Sequence, residues 1–117
     1  MNTESGFHRD LKSKMDLFVN RVYDCTAGFP KEEMYGVTSQ LRRAALSVIL
    51  NYIEGFARQH EKVLKNFLGI SFGSLKESKY LIYFSRQRNY LSEDHYQELI
   101  KLSDEIGAMV WGTISKM

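Results

Sequence analysis

Cysteine, proline and histidine are scarce in this chain, and each scarcity closes off a class of protein. There is one cysteine, Cys25, among 117 residues, so no internal disulfide can form and a reducing compartment is expected. The single proline, Pro30, leaves long helices unbroken elsewhere. The histidines are His8, His60 and His95, preceded three residues earlier by Ser5, Ala57 and Ser92. The Glu-x-x-His pairs that hold metals inside helical bundles are therefore missing, and no Cys/His ligand spacing replaces them. No metal or other cofactor is expected. Apolar runs stay well short of the ~20 residues that span a bilayer, and the opening MNTESGFHRDLKSKM has no signal-peptide core. These features predict a cytoplasmic protein without a membrane partner.

Catalytic signals are missing as well. GISFGS, Gly69 to Ser74, lacks the Lys-Ser/Thr ending of a phosphate loop; inside a helical stretch, its glycines are expected to serve helix packing. Cys25 follows Asp24, an acidic neighbour that does not activate a thiolate. Asn51 and Glu54 share a helix face, but a lone carboxylate without a second acid or base makes a poor catalyst. Glu54 is instead expected to meet Arg58 four residues on. No catalytic residue is assigned, and an enzyme is not expected.

What is present is an ordinary globular composition, 44% hydrophobic and 26% charged, with a net charge of +2. The last quarter of the chain is acidic and the rest basic. Strand-like alternation and internal repeats are absent. Apolar residues recur at Leu11, Met15, Phe18, Val22 and Thr26, with Gly28 and Pro30 closing the segment. Similar spacing predicts helices over about 8–27, 38–58, 61–88 and 93–115. Thr38 or Ser39 is the expected N-cap of the second helix and Ser92 of the fourth. Short connections make neighbours antiparallel, so the fold class is all-α: a single up-down-up-down four-helix bundle.

The second helix is too apolar for a bundle alone. Gln40, Arg43, Ser47, Asn51, Glu54 and Arg58 occupy an arc of roughly 80°, leaving an apolar arc of roughly 240° where little over 100° is needed. On the third helix, Phe72, Tyr80, Tyr83 and Phe84 lie opposite a face rich in leucine and serine. The excess predicts self-association through Leu46, Ile49, Leu50, Ile53, Phe72 and Tyr83, with Asn51 and Glu54 fixing the register. Arg42 and Arg43 should share one end of the bundle with Arg86 and Arg88, while Arg58 joins Arg9, Lys12, Lys62 and Lys65 at the other. These five arginines (Arg42, Arg43, Arg58, Arg86 and Arg88) are the candidate polyanion contacts. The alternative is that they are solvated charges partly paired with acids such as Glu93 and Asp94.

The run FPKEEMYGVTSQLRRAALSVILNYIEGFAR, followed by FLGISFGSLKES, resembles the four-helix-bundle family of ribosomal intervening-sequence proteins. Relatives of that family include the accessory variability determinants of diversity-generating retroelements. The resemblance runs from about Leu11 into the last helix and rests most on Phe29-Pro30, Glu33, Tyr35-Gly36, Thr38 to Ala44, Asn51, Glu54-Gly55-Phe56 and Gly73 to Glu77. It implies a ring-like homopentamer without enzymatic activity, with nucleic acid and a reverse transcriptase as partners of the retroelement relatives. Many members carry Ser-Ile-Pro-Ser-Asn where this chain has Ser47-Val48-Ile49-Leu50-Asn51. Losing the proline should straighten the second helix.

The resulting expectation is an oligomeric accessory protein that contacts RNA or DNA through phosphate-directed charge, with Tyr80 and Tyr83 available for stacking. The competing expectation is a protein-interaction scaffold, for example for a reverse transcriptase.

Overall fold

The computed structural model describes residues 5–117. Four helices follow one another: α1 (Gly6–Thr26), α2 (Val37–Ala57), α3 (Glu61–Gln87) and α4 (Glu93–Ser115), with a short 3-10 turn at Lys31–Glu33. The predicted helices match these within one or two residues at each end. Each helix packs against the next and α4 closes back on α1, while the backbones of the diagonal pairs stay apart among the described residues. That is the up-down-up-down bundle the connection lengths require.

Local chemistry sets the helix limits. Ser5 accepts the His8 backbone N–H at 3.2 Å and Ser92 accepts that of His95 at 3.2 Å, so α1 and α4 begin on serine caps. α2 begins differently from the expectation. Its N-cap is Gly36, and neither Thr38 nor Ser39 caps it. The Glu33 carboxylate accepts the Val37 N–H at 3.1 Å and also takes the Tyr90 hydroxyl at 2.9 Å. A longer side chain one turn earlier has displaced the hydroxyl cap, and Thr38 is buried instead. A Cβ at 36 would lie 2.5 Å from the Glu33 carboxylate oxygen, so a side chain there would displace this cap. Asn89, at φ 63, turns the chain between α3 and α4 in the left-handed conformation that asparagine tolerates.

The core follows the apolar periodicity. Leu11, Met15 and Phe18 of α1 meet Leu41 of α2, Leu68, Leu75 and Ile82 of α3, and Leu99, Ile106 and Val110 of α4, all fully enclosed. Each such side chain contributes about 1.5–3 kcal/mol relative to exposure. Between α2 and α3 the contact narrows to small residues. The Ser71 hydroxyl donates to the Val48 carbonyl at 2.7 Å, the Ser47 and Ser74 hydroxyls meet at 2.8 Å, and Gly55 lies against Phe67 and Leu64. The expected packing role of Gly69 and Gly73 is not found. Both face outward, and a Cβ on either would meet nothing within 4 Å; Gly55 and Gly107 hold the close approaches.

Candidate functional site

The α2–α3 seam positions a polar cleft. Two sequence-distant segments build it: the start of α2 with the turn before it, and the middle of α3. Their side chains enclose about 420 Å³, with Tyr35, Gln40 and Arg43 on one wall and Ser74 and Glu77 on the other. The floor is the Ser47–Ser74 hydroxyl pair, and Asn51 Nδ2 donates to Ser47 Oγ at 2.9 Å. Whichever serine donates to the other, one hydroxyl proton is left over for a group entering the cleft. Above that floor stand two full charges. Among the described residues, neither Arg43 nor Glu77 has a side-chain hydrogen bond or ion pair. Tyr35 is 92% exposed, its ring in contact with no other ring among the described residues.

The five candidate arginines therefore part company. Arg42 turns towards α1, donating to Thr26 Oγ1 at 2.7 Å and to the Tyr23 carbonyl, with its guanidinium 4.5 Å above the Tyr23 ring. Arg86 is paired with Glu93 and lies over Tyr96. Arg88 sits close enough to Glu33 to help hold its carboxyl below the usual glutamate range. Arg58 pairs with Glu54 at 2.7 Å, as the Glu-before-Arg spacing predicts, and lies over Phe67. Arg43 and Arg88 are the two of the five with no side-chain hydrogen bond or ion pair among the described residues, and of these Arg43 lines the cleft. Of the arginines expected at one end, Arg42 turns to α1, Arg86 to the start of α4 and Arg43 to the α2–α3 cleft.

The expected contact surface divides in the same way. Leu46, Leu50 and Ile53 are exposed, Leu50 at 53% and Ile53 at 48%, and their spacing puts them in one row on the outer face of α2. Ile49 and Phe72 pack instead against the chain's own core, the Phe72 ring 5.5 Å from that of the exposed Trp111. Asn51 turns back on its own helix, donating to the Ser47 carbonyl and hydroxyl. Glu54 is occupied by Arg58. Tyr83 is exposed beside Tyr80, their centroids 6.3 Å apart.

Sequence reasoning passed over Tyr35, Gln40, Ser74 and Glu77 as site residues. Only the register between α2 and α3 brings them together. Tyr35 did carry a signal, since a large aromatic before Gly36 belongs to no apolar row. No group of three or more His, Cys, Asp or Glu side chains that could hold a metal is found among the described residues. No helix among them is long and apolar enough to cross a membrane.

By architecture the molecule is an all-α four-helix bundle. Residues 9–112 match the family model described as 23S rRNA-intervening sequence protein, and the chain belongs to that family. A solved structure from Bacteroides thetaiotaomicron, described as a protein of unknown function from the S23 ribosomal protein family, has the same fold. The TM-score is 0.84 at 20% identity, over 92% of this chain and 96% of that one. Comparison with curated proteins gives no match.

Proposed function

We propose that this protein is a non-enzymatic accessory protein of the cytoplasm that associates with nucleic acid and assembles with copies of itself. Arg43 is the observation that most supports nucleic-acid contact: a guanidinium held in a polar cleft with no anionic partner among the described residues. The family to which the chain belongs takes its description from 23S rRNA intervening sequences, which agrees with an RNA-linked role. Self-assembly is supported by the exposed row of Leu46, Leu50 and Ile53, with the Tyr80 and Tyr83 rings as a second exposed apolar surface. Such rows are surfaces that association would cover. A ring of five, which resemblance to the intervening-sequence proteins implies, is the expected assembly.

The test is fluorescence anisotropy with a structured RNA and a duplex DNA over a salt series, using the native chain, Arg43→Ala and Arg42→Ala. Binding that weakens with salt and falls in Arg43→Ala, while Arg42→Ala changes it less, is the expected result. Light scattering on the same samples should give a mass several times 13.6 kDa. A monomer at micromolar concentration would overturn the assembly. Absence of binding even at low salt would transfer the reading to a protein scaffold, with a reverse transcriptase as the first partner to try.

A further inference from the structure

We infer that the α2–α3 cleft is a pocket for a single unpaired nucleotide, with Tyr35 stacking on the base, Arg43 holding the phosphate and Glu77 reading the base edge. This rests on the nucleic-acid reading above and narrows it to one site and one class of ligand.

Charge distribution favours an unpaired nucleotide over a duplex. A protein that grips duplex backbone needs many free cations along a continuous surface. Here Lys14, Arg21, Arg58, Lys79 and Arg86 are engaged by Glu105, Glu98, Glu54, Asp104 and Glu93, and the net charge is only +2. Cations unpaired among the described residues, such as Lys62, Lys65 and Arg88, do not line the cleft. What remains unengaged in the cleft is one cation and one carboxylate, on opposite walls of a space of about 420 Å³. A carboxylate repels phosphate, so Glu77 is out of place in a backbone-binding surface. It is well suited to a base. Its two oxygens accept hydrogen bonds only, and the Watson–Crick edge of guanine presents two adjacent N–H donors. Adenine and uracil lack that pair of neighbouring donors.

The remaining parts follow the same chemistry. Tyr35 projects a ring with almost its whole surface in water. It precedes Gly36, whose N–H donates to the Glu33 carbonyl at 2.9 Å, and the Glu33 carboxylate is held in turn by the Val37 N–H and the Tyr90 hydroxyl. Unstacked bases are commonly held on such rings. The leftover hydroxyl proton of the Ser47–Ser74 pair lies on the floor, where a ribose hydroxyl would reach it. Arg43, on the same wall as Tyr35, meets the phosphate. Guanine in a single-stranded or looped RNA is the expected ligand.

The experiment compares short labelled RNAs, uridine tracts with one central guanine or one central adenine, and a duplex of matched length. Each is titrated into the full-length native protein, Tyr35→Ala, Arg43→Ala and Glu77→Gln, with far-ultraviolet circular dichroism to confirm that each variant is folded. The native chain should prefer the guanine strand, and Glu77→Gln should remove that preference, a change of about tenfold for a bidentate contact. Arg43→Ala and Tyr35→Ala should weaken both single strands alike. If nucleic acid binds but Tyr35→Ala and Glu77→Gln leave every affinity unchanged, the pocket is overturned while the association stands. If neither strand nor duplex binds at low salt, both fail.

Discussion

The α2–α3 and α1–α4 seams hold the same bundle together by different means. α2 and α3 meet through Gly55, Ser47, Ser71 and Ser74, and no ion pair crosses between them among the described residues. α1 and α4 are joined at their margins by charge. Arg21 donates twice to Glu98, at 3.0 and 2.9 Å, and Lys14 reaches Glu105 at 3.5 Å. Small residues bring two backbones close and fix their register by shape, so the charges on the margin are not needed for cohesion. On the α1–α4 side, long side chains span the gap and consume one another's charge. The candidate site lies on the first seam for that reason: there Arg43 and Glu77 face a common cleft, unpaired among the described residues.

The largest expected effect breaks the close seam. A Cβ at residue 55 would stand 2.9 Å from the Phe67 Cβ and 3.1 Å from Leu64 Cδ1. The Phe67 Cβ is fixed to its backbone and cannot swing aside, so Gly55→Val must push the helices apart. A loss of about 3 kcal/mol is expected in urea unfolding, at the upper end for overpacking. Ligand binding in the cleft should weaken with it. A loss under ~1 kcal/mol would mean the seam yields, and that shape does not set its register.

Gly69 and Gly73 give the contrasting case. They are helical glycines that approach nothing in their own chain. Replacing either with alanine should stabilise the isolated fold by about 1 kcal/mol through helix propensity alone. The same substitutions sharpen the question of assembly. If they raise the unfolding midpoint of the monomer yet lower the mass seen by light scattering, the open helix face is covered by another copy. An unchanged mass would confine the contact to the α2 row.

The bundle itself was legible in the sequence because hydrophobic period is a one-dimensional signal. Leu11, Met15, Phe18 and Val22 mark α1 without reference to any other segment, and Ser92 marks the start of α4 through its own side chain. What was hidden depends on partners distant along the chain. Glu33 caps α2 and touches Tyr90, 57 residues away. Whether Arg42 or Arg43 is the free cation is decided by helix rotation against Tyr23, which no spacing rule contains. Ile49 packs against the core although the helical pattern puts it in the excess apolar arc, because that pattern shows how much of a helix is apolar but not how deeply its neighbours enfold it. The cleft was least legible of all, being a property of the α2–α3 register.

Removing charge from the α1–α4 seam should have a smaller effect than either glycine change. The pair is solvent-accessible, so Arg21→Gln should lower stability slightly at low salt and not measurably at high salt, in parallel urea titrations. An equal loss at both ionic strengths would mean that the Arg21 stem, rather than its charge, fills the gap.

Acid is the finest probe of the contrast, because it reaches the cleft through its rim. The Val37 N–H holds the Glu33 carboxyl below the usual range near 4.5, with the Tyr90 hydroxyl and the nearby Arg88 charge adding to it against a small opposing effect of burial. A carboxyl depressed in the folded state contributes its stability above the unfolded value, and that contribution is lost as pH falls through the folded value. Between about pH 5 and pH 3 the native chain should therefore lose stability faster than Glu33→Gln. Some acid sensitivity should persist in that variant, since Gln97 and Arg86 lower the Glu93 carboxyl in the same direction. Combining Glu33→Gln with Glu93→Gln should flatten the profile further. The two carboxyls act at different places, and this gives the measurement its use. Glu33 supports Gly36 and the turn carrying Tyr35, whereas Glu93 ties the end of α3 to the start of α4. Tyr35 is the natural reporter, read as its proton resonances over the same pH range. Acid should shift them in the native chain and in Glu93→Gln but not in Glu33→Gln. Shifts that persist without Glu33 would mean the rim of the cleft is held by something other than this carboxylate.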